Sequence, residues 1–151
     1  MTASISRRLA LRTVIASGAG LLLPAAQACE FYSTRMRIYQ IWARETHLSD
    51  GVAPIYMQFD EVIRSDRLIG IETPIAEGAD MVTGGVASRL DLAIPLGQVT
   101  LLEESGNFVR LLGLRQPLEL SREYPLKLIF EHGGVVHADL DINYDRRIKA
   151  G

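Results

Sequence analysis

The chain has 151 residues, of which 48% are hydrophobic, 23% charged and 7% aromatic, and its formal net charge is −2. This length fits one globular domain, and this apolar content excludes a disordered chain. The near-neutral charge gives no reason to expect a nucleic-acid binder, and the single cysteine excludes an internal disulfide and a thiolate zinc site of its own.

Residues 1–28 have the composition of a secretory signal peptide. They contain no Asp or Glu but carry three arginines, and the small-residue sequence Ala26-Gln27-Ala28 fits a cleavage site. The apolar run at 14–23 is about half as long as a membrane-spanning helix. A buried core helix, the alternative, would leave the arginines unexplained. We therefore expect an exported bacterial protein that resides in the periplasm.

Two of the arginines are paired, in the segment at residues 6–12. This segment resembles the twin-arginine export motif, with Ala10 where the motif has Phe and Arg12 where it has Lys. Twin-arginine export carries folded proteins, and ordinary unfolded export is the alternative.

Cleavage after the signal would make Cys29 the first residue of the mature chain, which opens with a lead at 29–36. Lipoprotein signals, which would acylate this cysteine, prefer Leu three positions earlier, where this chain has Ala26. We therefore expect a free N-terminus rather than a lipid anchor. The loss of three arginines leaves 13 basic groups against 18 acidic ones, a net charge of −5. This acidic balance argues against an anionic membrane surface as partner.

The domain at 37–142 consists of runs of β-branched and aromatic residues separated by Pro and Gly. These runs predict about eight short strands, and no stretch has a sustained helical period. The pattern is typical of an antiparallel sandwich or barrel, so the fold class is all-β. The predicted strands are Arg37–Arg44, Val52–Phe59, Arg67–Glu72, Arg89–Ile94, Gln98–Glu103, Phe108–Leu114, Leu126–Glu131 and Val135–Ile142.

The last two predicted strands form a hairpin. Their even-numbered residues are apolar and should face the core. Facing residues must share one side of the sheet, which requires a loop of odd length. Pairing Glu131 with Val135 satisfies this condition and leaves His132–Gly134 as a three-residue loop. The polar residues 143–151 follow as a frayed tail.

Several short motifs occur in order along residues 38–142. They are Trp42-Ala43-Arg44, Tyr56, Asp66-Arg67-Leu68-Ile69-Gly70, Thr73-Pro74-x-Ala76, Ile94-Pro95-x-Gly97, Leu112-Gly113-Leu114-Arg115-Gln116-Pro117-Leu118 and Pro125-Leu126-x-Leu128-x-Phe130-Glu131. This series resembles the periplasmic copper chaperones of the PCuAC type. The resemblance implies a cupredoxin-like Greek-key barrel, which agrees with the strand pattern, and a role in copper handling.

Members of that family bind Cu(I), and often Cu(II), through His and Met side chains, which suit a soft ion. The resemblance places their His-x-Met pair on Phe108-Val109-Arg110, whose outer residues cannot ligate copper and bring bulk and positive charge. It places the first His at about Val82, with Met81 beside it. The later Met falls near Ala87 or Ser88. We therefore predict a copper-chaperone fold that lacks the family's metal ligands.

Other residues could replace these ligands, but none is assigned as a metal site. Met57 has the two-residue spacing of a strand's inner face and Met36 precedes the first predicted strand, so core packing is favoured for both. His47 and His132 fall in predicted loops. A free Cys29 could bind Cu(I) through its thiol and amine.

His137, Asp139 and Asp141 share one face of the last predicted strand, because side chains two residues apart point the same way. A solvated outer face is favoured there over a site for a hard ion.

We expect no enzymatic activity. No Ser/His/Asp or Cys/His arrangement has a recognisable context, and Gly84-Gly85 does not open a helix as a phosphate loop would. Glu103 and Glu104 are adjacent at the end of a predicted strand and so should point to opposite faces. Two hypotheses remain: copper handling with Cu(I) held by other ligands or by a partner, and a metal-free periplasmic module that binds a protein.

Overall fold

The structure, a computed structural model, describes residues 30–143. The predicted signal peptide, Cys29 and all but the first residue of the predicted tail lie outside this range. Within it the regular secondary structure consists of β-strands apart from one helical segment, the 3₁₀ turn Leu48–Asp50. The strands are β1 Glu30–Tyr32, β2 Arg37–Ala43, β3 Val52–Asp60, β4 Asp66–Glu72, β5 Ala76–Thr83, β6 Val86–Arg89, β7 Leu92–Ile94, β8 Thr100–Leu102, β9 Phe108–Leu114, β10 Glu123–Phe130 and β11 Gly134–Ile142.

One sheet contains all of these strands. Its order is β6-β5-β9-β3-β2-β11-β10-β4-β7, with β1 added to β2 and β8 added to β3. The pairing of β11 with β2 is parallel, whereas the neighbouring pairs are antiparallel. The sheet curls around an apolar interior, so the prediction of an all-β Greek-key barrel is confirmed.

The core lies inside the curl. Phe59 and Phe130 meet edge to face there, with ring centroids 6.3 Å apart. The even-numbered residues of β10 and β11 from Tyr124 to Ile142 are buried, as their alternation predicts, apart from those at the turn. These inward rows join the buried apolar residues of the other strands in one core, whose removal from water favours folding.

The strand prediction is wrong around residues 76–94. It left out β5 and merged the end of β6 with β7 into one strand. The sequence of β5 contains a glycine, two alanines and two acidic residues, all of which disfavour strands when taken alone. The missed signal is Gly84-Gly85, whose φ values of 58° and 81° make the two-residue turn of a β5–β6 hairpin.

The β10–β11 hairpin has the predicted parity but a different loop. Phe130 pairs with Gly134, so the three loop residues are Glu131–Gly133 rather than His132–Gly134. The cause is Asp66, whose carboxylate accepts hydrogen bonds from the backbone N–H groups of His132 and Gly133 at 2.9 and 2.8 Å. This buried carboxylate fixes the turn one residue earlier than the local pattern indicates.

Candidate functional site

Strands β5, β6 and β9 bring together the positions at which the resemblance expects copper ligands. Val82 opposes Phe108 across β5 and β9, and it opposes Ala87 across β5 and β6. Directly opposed residues of antiparallel strands share one face of the sheet. The three positions therefore form one row, which we call the ligand-position row, on the outer face of the barrel.

Arg110 lies beside this row and is paired. It opposes Asp80 on β5, and its guanidinium donates hydrogen bonds of 2.9 and 2.6 Å to the two carboxylate oxygens. The side chains are 29% and 18% exposed. The bond to Asp80 raises the pKa of Arg110. The positive charge expected from the sequence is therefore neutralised, and Asp80 is a site residue that sequence reasoning missed.

Two aromatic rings, from β2 and β3, pack in series against Phe108 of the ligand-position row. Trp42 and Tyr56 lie 4.8 Å apart between ring centroids, and Tyr56 and Phe108 lie 6.0 Å apart in an edge-on contact. A register shift in β2 next to Gln40, whose φ is 53°, precedes the pairing of Trp42 with Tyr56. The Phe108 ring is thus packed against a neighbour instead of pointing free into a metal site.

A second arginine–carboxylate pair flanks the aromatic rings. Arg44 donates hydrogen bonds of 2.7 and 2.6 Å to Glu104. Burial, together with the nearby charge of Glu104, raises the pKa of Tyr56 to about 12. Glu104 does not lie in a strand, because β8 ends at Leu102, so the expected opposition of Glu103 and Glu104 on two strand faces is wrong.

The three methionines of the described chain belong to the core. Met36, Met57 and Met81 are 3%, 2% and 4% exposed. The interpretation of Met36 and Met57 as packing residues is confirmed. Met81 opposes Val109, a fully buried residue, and so faces the interior, away from the ligand-position row.

The histidines are separated from this row and from one another. His47 is exposed before the 3₁₀ turn, and His132 is exposed in the β10–β11 loop. His137 opposes Lys127 across β10 and β11, and Asp139 opposes Pro125. In residues 30–143, no three His, Cys, Asp or Glu side chains are grouped closely enough to hold a metal ion.

The same part of the chain has no helix long and apolar enough to cross a membrane.

Comparison with known proteins identifies the fold. The family model described as "Putative lipoprotein LpqE-like" matches residues 36–142. The copper-bound PCuAC domain from PmoF2 is similar, with a TM-score of 0.69 and 20% identity over 76% of this chain and 97% of that one. The solution structure of CuI-DR1885 from Deinococcus radiodurans is also similar, with a TM-score of 0.58 and 21% identity over 68% of this chain and 74% of that one. No curated protein matches. The fold is therefore the cupredoxin-like barrel of PCuAC domains.

Proposed function

Since the chain belongs to the LpqE-like family and folds as a PCuAC domain, we propose that it is an exported, non-enzymatic module that binds a protein partner and holds no copper at the family's ligand positions. The observation that carries the absence of copper is the Arg110–Asp80 pair, joined by two hydrogen bonds where the resemblance expects a Met ligand.

The chemistry of the ligand-position row supports the absence of a metal there. Val82, Ala87 and Phe108 have hydrocarbon side chains, which offer no lone pair to Cu(I). A copper ion near Arg110 would meet a guanidinium that is already fixed to Asp80. Separating that pair would leave a half-buried charge without its partner, which is costly.

Copper handling by another route is the second candidate. It is favoured by the structural neighbours, whose names include a copper-bound PCuAC domain and CuI-DR1885. In that case the metal would be held by residues away from the ligand-position row, such as Cys29, or by the partner protein.

A Cu(I) titration distinguishes the two candidates. The mature chain, residues 29–151, is titrated without oxygen against a chromophoric Cu(I) chelator, beside the Cys29→Ser variant as matched control. We expect neither chain to withdraw stoichiometric copper from the chelator. Tight 1:1 binding that survives the Cys29→Ser change would overturn the metal-free proposal. Binding that this change abolishes would favour the second candidate, with Cys29 as a ligand.

Export through residues 1–28 is part of the proposal and has its own test. Cell fractionation would follow the full chain and an Arg7→Lys/Arg8→Lys variant. Retention of the variant in the cytoplasm supports the twin-arginine route, whereas normal export of both indicates the ordinary route. The intact mass of the exported chain decides the fate of Cys29, because acylation adds the mass of its lipid.

A further inference from the structure

Four aliphatic side chains are exposed on neighbouring segments at the end of the barrel where β3 ends and β8 begins. Ile63 is 68% exposed, Leu96 59%, Val99 63% and Leu101 49%. We call these four residues the loop patch. Single exposed apolar residues are ordinary, but a group of them on adjoining segments marks an interaction surface.

Backbone hydrogen bonds hold the loop patch in place. The N–H of Gly97 donates to the carbonyl of Val62 at 3.0 Å, which joins the two loops. The N–H of Ile63 donates to the carbonyl of Arg35 at 2.9 Å. Thr100 of β8 pairs with Phe59 of β3 directly beside these loops. The patch is therefore presented in a fixed geometry, which lowers the entropy cost of binding.

The rim of the loop patch carries both signs of charge. Within residues 30–143, Arg64 forms no ion pair. The Glu61 side chain is 60% exposed and lies 3.8 Å from the Nε atom of Arg37. Arg37 itself is engaged by Asp60 through two hydrogen bonds of 2.6 Å. Arg64 is thus a cation without an ion-pair partner among the described residues, and Glu61, three positions earlier, is a weakly held anion.

We propose that the loop patch is the contact between two copies of this chain related by a twofold axis. A twofold contact uses the same surface on both molecules, so that surface must be complementary to itself. The loop patch meets this requirement, because its aliphatic residues can meet their equivalents while Arg64 of each copy meets Glu61 of the other. An apolar centre with a polar rim is the usual anatomy of an interface.

The dimer formed in this way is weak and reversible. Four aliphatic side chains a side are fewer than a standard stable interface buries. Leu101 opposes Gln58 of β3, two residues from Tyr56, so the loop patch borders the aromatic rings beside the ligand-position row. Sedimentation without copper tests the dimer by itself, so failure of this inference is distinguishable from failure of the proposed function.

Sedimentation velocity of the mature chain tests this inference. We expect a monomer at about 1 μM and a growing dimer fraction towards about 1 mM, a range that covers weak association. Ile63→Asp should abolish the dimer, because it places a charge at the centre of the patch. Val86→Asp is the matched control, since Val86 is 67% exposed on β6, outside the patch. Both sites are solvent-exposed, and circular dichroism would verify that both variants fold.

A charge exchange identifies the partner of Arg64. Arg64→Glu and Glu61→Arg should each weaken the dimer by about tenfold, because each places like charges opposite one another. The double variant should recover the original affinity. A chain that remains monomeric up to the highest concentration overturns the proposal, as does a dimer that Ile63→Asp leaves intact. Absence of rescue overturns the assigned contact. A monomer that binds lipid vesicles through the patch would identify a membrane as the occupant instead.

Discussion

Arg110 on β9 and Asp80 on β5 oppose each other, and the guanidinium donates 2.9 and 2.6 Å hydrogen bonds to the two carboxylate oxygens. The pair lies next to Phe108 and Val82 on the same face of the sheet. Where the resemblance expects two soft ligands, this chain therefore has a packed aromatic ring and a satisfied ion pair. Both features can be tested by substitution.

Restoring the ligands should restore copper binding. The variant Val82→His/Phe108→His/Arg110→Met places two imidazoles and a thioether on adjacent strands, and Asp80→Asn removes the carboxylate left without a partner. We expect a Cu(I) dissociation constant at least about a hundredfold below that of the natural sequence in a chelator competition. The control carries Gln, Gln and Leu at the three positions, together with Asp80→Asn. Equal binding by variant and control would show that these positions do not form a site.

Removing the guanidinium alone should destabilise the fold. Arg110→Met leaves the Asp80 carboxylate, 18% exposed, without its two hydrogen bonds, and we expect a loss of about 1–3 kcal/mol in urea denaturation. Arg44→Met is the matched control, because Arg44 and Glu104 are each 37% exposed. The Arg44→Met variant should lose no more than about 1 kcal/mol in its free energy of unfolding. Equal losses for the two variants would show that the Arg110 pair has no special structural weight.

Stability should fall in acid because of Asp60. Hydrogen bonds from Arg37 hold the pKa of this carboxyl below its ordinary value of 3.8. The folded state therefore binds the proton less readily than the unfolded state. The resulting stability is present above pH 3.8 and is lost as the pH falls through the lower folded-state value. Urea denaturation at about pH 7 and about pH 2 would measure the difference.

Asp60→Asn should reduce this dependence on pH. Asp91→Asn is the control, because Arg67 lowers the pKa of Asp91 in a more exposed pair. We expect the control to keep most of the acid dependence. If Asp60→Asn and the natural sequence lose the same stability between the two pH values, Asp60 is not the group responsible.

Tyr56 should ionise later than an ordinary tyrosine. Burial and the charge of Glu104 raise its pKa to about 12, and an ultraviolet titration of phenolate absorbance should show a step there. Tyr56→Phe should remove the step, and Glu104→Gln should shift it to lower pH because the repelling charge is gone. Circular dichroism recorded in parallel verifies that the chain is still folded. A late step that persists in Tyr56→Phe would contradict the assignment.

The glycine of the Leu112–Leu118 motif has a structural function that a substitution can expose. Gly113 has a φ of +64°, and a Cβ atom added there would lie 2.7 Å from Oε2 of Glu77. Gly113→Ala should therefore cost about 1–3 kcal/mol in the free energy of unfolding. Gly84→Ala is the control, because Gly84 has a φ of +58° but no atom within 4 Å of the added Cβ. Similar losses at both sites would mean that Glu77 moves aside easily.

Local patterns predicted the parts of the fold that local chemistry determines. Alternation along β10 and β11 gave both the buried face and the parity of the hairpin, because a strand repeats every two residues. The position of the turn could not be predicted, since it depends on Asp66, which is 66 residues from His132 along the chain. β5 was missed for a related reason: its residues form a strand through pairing with β6 and β9.

The sequence predicted which residues occupy the candidate site but not which side chains contact them. The motifs before and after Phe108 placed the expected ligands on it and on Val82, and the structure puts these two side by side. The partners of the two arginines could not be predicted. Asp80 is 30 residues from Arg110 and Glu104 is 60 residues from Arg44, so only the folded sheet brings them together.

The parallel pairing of β11 with β2 sets the order in which the barrel can be completed. Trp42 and Ala43 of β2 pair with Asp141 and Ile142 of β11. This pairing of an early strand can form only after the last described strand is present. When the chain is synthesised from its N-terminus, this part of the β2 edge therefore stays unpaired until β11 has been made. Open edges invite association with other chains, and late long-range pairing slows folding. The barrel is thus most open to wrong pairing before β11 is in place.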